Sequence, residues 1–149
     1  MTEGPYKLPE GWRWVRLGEV ILRIANGTTV KQNKDGKGIP VTRIETITNE
    51  EIDPRRTGFI ENPSPKIIQA FALQVGDILF SHINSDAHLG KTAVYLGEPP
   101  LLLHGMNLLL IRPNPVVVNY NFLNLVFKHY RNSGVFISMA KRAIGQSSI

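Results

Sequence analysis

The first two-thirds of the chain carry short apolar runs between turn-forming residues, and only the last third has a helical period. Runs of three to six alternating or continuous apolar positions, bounded by Gly, Pro, Asn or Asp, are typical of β-strands. They predict strands over residues 39–44, 78–83, 91–96, 101–103 and 106–111. A further apolar run predicts one or two helical turns over 66–73, and the Pro-broken stretch 48–65 predicts an irregular connection.

The N-terminal segment combines a turn, an extended stretch and a helix start. Residues 8–11 favour a turn, because proline fixes φ and glycine tolerates positive φ. Trp12 and Trp14 alternate with their neighbours, which predicts an extended segment with both indoles in the core rather than stacked on bases. Residues 17–21 predict a short helix that the Asn-Gly pair at 26–27 closes.

The last third changes to the period of an amphipathic helix. One helical face gathers apolar side chains at Phe122, Leu123, Val126, Phe127 and Tyr130. The Asn-Ser-Gly sequence at 132–134 stops this helix, and 135–144 predicts a second one. Strands followed by helices indicate an α+β fold. We expect a twisted, mostly antiparallel sheet with a short N-terminal helix and C-terminal helices.

The net positive charge of the chain indicates the kind of partner that it binds. The chain has 149 residues, enough for one domain, with 17 Lys and Arg against 12 Asp and Glu. From residue 99 onward there are five basic residues and no acidic one. This bias favours an anionic partner, of which nucleic acid is the commonest, although modest positive charge also serves solubility alone. The apolar runs are too short to span a bilayer, and the absence of cysteine excludes disulfides and thiolate sites.

Enzyme signatures are weak in this chain. Pro99-Pro100 is followed by Leu101 and lacks the aromatic residue that an adenine methyltransferase uses to hold a flipped base. No glycine-rich phosphate loop has the required spacing after a strand. His82, Asp86 and His88 are close enough in sequence to ligate a metal, but the same residues also fit a polar loop between two strands.

Several polar segments have the side chains that read DNA. Base edges are read by Arg, Lys, Asn, Gln, Ser, Thr and His, and phosphates are bound mainly by Lys and Arg. Arg43, within a strand pattern, has a fixed position from which it reads a base or pairs with Glu45, and Arg55-Arg56 is a phosphate contact or a solvated turn. The candidate contacts are Lys31, Lys34, Lys37, Arg43, Arg55, Arg56, Ser81, His82, Asn84, Ser85, His88 and Lys91.

Three stretches carry a family resemblance that spans nearly the whole chain. They are LPEGWRWVRLGEV at 8–20, GDILFSHINS at 76–85 followed by LGKTA at 89–93, and AIGQSSI at 143–149. Together and in this order they resemble the target recognition domain of a type I restriction-modification specificity subunit. The resemblance implies that 1–149 is a single recognition domain, the N-terminal piece of a longer subunit that ends before its spacer helix.

The resemblance also implies a function. Such a domain is non-catalytic and cytoplasmic, and it reads one half of a bipartite site in double-stranded DNA for partner modification and restriction subunits. S-adenosylmethionine, ATP and Mg would bind only to those partners, and no cofactor is expected in this chain. The loop at 81–91 would face the DNA. The alternatives are the recognition domain of a single-chain methyltransferase-nuclease, a protein-interaction module without a nucleic-acid role, and a small hydrolase using His82, Asp86 and His88.

Overall fold

The computed structural model describes residues 4–143 and 146–148 of the chain. The strands are β1 (Ile21–Asn26), β2 (Ile39–Thr42), β3 (Thr57–Ile60), β4 (Ile78–Phe80), β5 (Ile83–Asn84), β6 (Thr92–Val94), β7 (Leu109–Pro113), β8 (Lys141–Ala143) and β9 (Gln146–Ser148). The helices are a first 3₁₀-helix (Leu17–Val20), a second 3₁₀-helix (Ile44–Ile47), α1 (Pro65–Phe71), α2 (Tyr120–Asn132) and α3 (Val135–Met139).

The central sheet has four antiparallel strands in the order β1-β7-β4-β6. Side chains alternate across it, so Ile78 and Phe80 pack under α2 while Leu79 packs on the opposite face. Leu123 and Phe127 are the buried residues of α2, which confirms the predicted amphipathic helix. The predicted α+β fold with a mostly antiparallel sheet and C-terminal helices is therefore confirmed.

Two smaller sheets extend this framework. β2 pairs with β3, and Val41, Ile60 and Leu103 form a separate apolar cluster beside α1. β5, β9 and β8 form the other sheet. Leu103 joins the first of these sheets to the rest, because its backbone bonds both Pro40 and Thr42. The β2-β3 unit is thus anchored to the main body through its main chain.

A buried ion pair fixes the turn before β4. Both nitrogens of the Arg112 guanidinium fork contact Asp77, with Nε–Oδ1 at 2.8 Å and Nη2–Oδ2 at 2.9 Å. The Asp77 carboxylate also accepts from the Gln74 backbone N–H at 2.7 Å. The Gly-Asp turn identified in the sequence therefore locks β4 to β7 by a bidentate contact.

The N-terminal prediction was partly wrong. The first 3₁₀-helix does begin at Leu17, but it ends at Val20 and leads directly into β1, so Asn26 ends a strand and not a helix. The apolar residues of the run ILRIAN are spaced in a way that fits either a helix or a strand. The run is a strand because it pairs with β7. Trp12 was expected in the core, yet 60% of it is exposed and its ring lies 6.1 Å from that of Phe122.

Four further assignments were also wrong. Residues 57–60 form β3 where an irregular connection was expected, whereas 101–103 forms no regular strand, and Leu103 makes isolated bridges to Val41 and Ala72. The predicted 78–83 strand is split into β4 and β5. The predicted second helix stops at Met139, and Lys141–Ala143 is a strand. Ile144, Gly145 and Ile149 of the last motif lie outside the described residues. Among those that are described, no helix is long and apolar enough to cross a bilayer.

Candidate functional site

The second 3₁₀-helix brings together segments that are far apart in sequence. Arg43 precedes it, and the Arg43 backbone N–H donates to Thr46 Oγ1 at 2.8 Å. The turn at 53–56 packs against its middle, because the Asp53 backbone N–H donates to the Thr46 carbonyl at 2.9 Å. At its end, Lys91 Nζ donates to the Thr48 carbonyl at 2.7 Å. Since a 3₁₀-helix rises about 2 Å per residue, these contacts lie within roughly 10 Å of one another along its axis.

Residues 31–37, the lysine tip, form an ordered turn. The backbones of Asn33 and Phe59 bond in both directions, at 2.8 and 2.9 Å. The Asn33 side chain accepts from the Asp35 backbone N–H and donates to the Lys37 carbonyl, each at 3.0 Å. Lys31, Lys34 and Lys37 are all exposed. The tip therefore presents three cations on a backbone that β3 holds in place.

A cleft of about 290 Å³ opens between the base of the lysine tip and the second 3₁₀-helix. It is lined by Thr29, Val30, Lys31, Gln32, Thr42, Arg43, Ile44, Glu45, Met106 and Asn107. Its floor is a close backbone approach, where the Gly105 N–H donates to Thr42 Oγ1 at 2.8 Å. A Cβ on Gly105 would lie 2.0 Å from the Thr42 carbonyl oxygen, so only glycine permits this approach.

Arg43 is held in this cleft by two acceptors. Its Nε lies 2.7 Å from Glu45 Oε1, and its Nη1 lies 3.4 Å from Gln32 Oε1. The predicted pairing with Glu45 is confirmed, but Arg43 lies just after β2 and not within a strand. Burial alone would raise the pKa of the Glu45 carboxyl, yet its backbone hydrogen bond and Arg43 outweigh this effect and lower it. Glu45 is therefore a fixed carboxylate at neutral pH.

Arg55 and Arg56 share one carboxylate. Arg55 donates to both oxygens of Asp53, at 3.1 and 3.2 Å, and Arg56 Nε lies 3.4 Å from Oδ2. The hydrogen bond from Arg55 lowers the pKa of Asp53, which stays ionised. The Arg55 side chain is still 85% exposed. Both arginines are thus held within a turn and also remain open to solvent.

The 81–91 loop is closed by its own polar residues. Ser81 is only 1% exposed, and its backbone bonds Gly90 and Lys91 at 2.8 and 2.9 Å. Asn84 donates to Ser81 Oγ at 3.2 Å. Lys91 Nζ lies 2.8 Å from His88 Nδ1 and also bonds Thr48, as described above. Ser85 is exposed at the outer edge, whereas Asn84 and His88 are half-buried.

Arg131 of α2 anchors the same loop from outside. Its Nη2 donates to the Ala87 carbonyl at 2.8 Å, and its Nε to the Leu89 carbonyl at 3.3 Å. Its Nη1 also lies 3.5 Å from Glu50 Oε1. A single guanidinium thus ties the loop to the connection that follows the second 3₁₀-helix.

The histidines fall in different environments. Burial lowers the pKa of His82, whose Nδ1 is buried without a hydrogen-bond partner among the described residues. Burial also lowers the pKa of His104, whose Nε2 lies 2.7 Å from the Leu108 carbonyl. Both imidazoles are neutral at pH 7. Within residues 4–143 and 146–148, no group of three or more His, Asp or Glu residues is arranged to hold a metal.

The structure therefore brings Arg43, the 53–56 turn and Lys91 to the second 3₁₀-helix, and the predicted contacts divide by role. The lysines of the tip are exposed, whereas Ser81 and Lys91 bond within the protein. The candidate contacts drawn from the sequence do not include Gln32, Asn107 or Arg131. Asn107 has φ of 70°, a conformation that asparagine tolerates better than most residues. No sequence signal connects Arg131 to the loop 42 to 44 residues away.

Comparison with known proteins gives consistent relatives. The chain is 47% identical over 143 residues to the “Putative type I restriction enzyme MjaX specificity subunit” of Methanocaldococcus jannaschii, covering 96% of this chain. Its fold is similar to the HsdS subunit from Thermoanaerobacter tengcongensis, with a TM-score of 0.60, 25% identity and 88% of this chain covered. A chain solved in work on assembly and conformational transition of the type I R-M system gives a TM-score of 0.62 at 26% identity, with 89% of this chain covered.

The extent of these matches matters as much as their identity. The chain spans 34% of the length of the curated relative, and 31% and 30% of the two solved chains. No protein-family model matches it. The resemblance to type I specificity subunits drawn from the sequence motifs is confirmed, and it applies to about one-third of such a subunit.

Proposed function

Since this chain is homologous to part of the specificity subunits of type I restriction enzymes, we propose that it is a single target recognition domain. It binds double-stranded DNA and reads one half of a bipartite site. The cleft beside Arg43 carries this proposal, because a fixed guanidinium and a fixed carboxylate lie beside three exposed lysines. Fixed polar groups discriminate between base edges, and mobile cations bind phosphates of any sequence.

The dimensions agree with a duplex. The Arg43 cleft and the 81–91 loop lie at opposite ends of the second 3₁₀-helix, roughly 10 Å apart. This separation is comparable to the width of the major groove, about 12 Å, so both segments can contact the same stretch of duplex. Lys31, Lys34 and Lys37 then contact the backbone of one strand. Ser85 and His88 reach base edges from the loop, while Asn84 and His82 shape it.

The chemistry of restriction and modification belongs to other subunits under this proposal. Modification subunits bind S-adenosylmethionine and methylate DNA, and a restriction subunit uses ATP and Mg to cleave it. This chain contributes recognition alone and has no catalytic role. Its place of action is the cytoplasm, with spacer helices of the longer subunit joining it to a second recognition domain.

The salt dependence of DNA binding tests the proposal. Each phosphate contact adds about 0.9 to the slope of log affinity against log salt concentration, because condensed counterions are released. Lys34→Ala should lower that slope by roughly this amount. Lys91→Met should leave the slope unchanged, because Lys91 Nζ bonds Thr48 and His88. Titration of a duplex library from 50 to 200 mM salt measures both. Absence of binding at the lowest salt contradicts the proposal.

A further inference from the structure

We infer that the Arg43 cleft reads a guanine, and that Glu45 and Gln32 are its positioning residues. The inference rests on the proposed function and names the base class and the residues responsible. Glu45 and Gln32 contact Arg43 at 2.7 and 3.4 Å, so they fix the plane of its guanidinium. Both act through Arg43.

The hydrogen bonds of Arg43 leave one end of its fork open. Glu45 accepts from Nε, and Gln32 accepts from one hydrogen of Nη1. Among the described residues, no hydrogen bond engages Nη2. Nη1 carries two hydrogens, so it can serve both Gln32 and a base, and together with Nη2 it can present the parallel donor pair that fits O6 and N7 of guanine in the major groove. Adenine presents a donor in place of O6 and would meet this pair unfavourably.

Gln32 is itself confined. A Cβ on Gly58 of β3 would lie 2.1 Å from Gln32 Oε1, and one on Gly105 would lie 3.0 Å from Nε2. The amide nitrogen also approaches the Thr42 carbonyl at 3.5 Å. The two glycines therefore leave room for this amide beside Arg43, and a side chain at either position would crowd it.

The charge of Glu45 is informative because a carboxylate near DNA is unfavourable on its own. A free carboxylate facing phosphates weakens binding to all sequences equally. Glu45 is instead committed to Arg43, and the side chain of Arg43 is 32% exposed. Holding a long side chain in one rotamer before binding lowers the entropy lost on docking. Glu45 therefore helps Arg43 to discriminate between bases, although an unpaired carboxylate at this position would weaken binding to DNA.

The test begins with selection of the chain's preferred motif from randomised duplexes. Each guanine of that motif is then replaced by 7-deazaguanine, which still pairs with cytosine but lacks the N7 acceptor. At one position the wild-type chain should lose roughly 10- to 100-fold in affinity. Arg43→Met, which keeps an unbranched stem but has no hydrogen-bond donor, should bind both duplexes equally.

Three variants separate positioning from structure. Glu45→Ala should reduce guanine preference at that position by about 10-fold, and Glu45→Gln, which keeps an acceptor for Nε, should retain most of it. Gly58→Ala displaces only the end of the Gln32 side chain, so it should weaken the preference while the unfolding temperature stays close to wild type. Lys66→Ala, on the exposed side of α1, serves as the control.

The outcomes distinguish this inference from the proposed function. Tighter binding of Glu45→Ala to every duplex would show that Glu45 only repels phosphate and would overturn the positioning role. Equal loss with 7-deazaguanine in wild type and Arg43→Met would assign the base contact to another residue. Salt-sensitive binding with no enriched position would overturn base reading by the cleft but leave DNA binding intact. No binding at all would contradict both.

Discussion

The lysine tip and the 81–91 loop are both rich in polar residues, but different groups hold them in place. In the tip, the backbone is bonded to β3 and the lysine side chains point into solvent. In the 81–91 loop, Ser81 is buried, Lys91 bonds Thr48 and His88, and Arg131 holds two loop carbonyls. The lysines of the tip are therefore free to contact a ligand, whereas Ser81, Lys91 and Arg131 hold the 81–91 loop in place.

The largest effect on stability is expected from a substitution at Gly105, where its backbone lies close to that of Thr42. Gly105→Ala places a methyl group 2.0 Å from the Thr42 carbonyl oxygen, where neither backbone has room to move. We expect a loss of about 3 kcal/mol in the free energy of unfolding, at the upper end of overpacking effects. Urea denaturation followed by circular dichroism measures it. Gly18→Ala, with nothing within 4 Å of its new methyl group, is the matched control and should stay near zero.

A smaller effect is expected from releasing the 81–91 loop. Arg131→Met keeps the apolar stem of the side chain but removes the donors to the Ala87 and Leu89 carbonyls. We expect a cost of about 1–2 kcal/mol in stability. Amide hydrogen exchange should accelerate for residues 85–91 and remain unchanged at the lysine tip. Equal acceleration in both regions would show that the tip also depends on this anchor. Lys66→Met is the control.

The smallest expected effect is on pH dependence. Burial lowers the pKa of both His82 and His104 below the usual value of about 6.5, whereas the unfolded chain titrates near 6.5. The unfolded state then binds more protons, so stability is full above pH 6.5 and falls as the pH drops below it. Asp53 and Glu45 have lowered pKa values and do not titrate in this window.

Denaturation at pH 7.5 and 5.0 measures this dependence. His104→Gln should reduce the difference between the two pH values, because glutamine keeps a nitrogen donor for the Leu108 carbonyl and does not titrate. Gln69→Ala, on the exposed side of α1, should leave the difference as it is in the wild type. An undiminished pH dependence in His104→Gln would assign the effect to His82 or to another group.

The same comparison shows what the sequence could and could not predict. The α2 helix and the pairing of Arg43 with Glu45 depend on near neighbours, and both were predictable. Lys91 reaches a carbonyl 43 residues earlier, so its commitment to the fold has no local signal. Arg131 contacts the carbonyl of Ala87, 44 residues earlier, so this contact also has no local signal in the sequence. The residues 57–60 were missed as a strand because their pairing with β2, not their own pattern, makes them one.

The way the cleft is attached to the rest of the protein has a consequence for its evolution. Its walls are joined to the body by main-chain bonds, between Asn33 and Phe59 and between Thr42 and Leu103. Main-chain bonds form with almost any side chain. Gln32, Arg43 and Glu45 also lie outside the three apolar clusters. If the cleft reads DNA as proposed, substitutions at these three positions can change the sequence that is recognised while the fold stays the same.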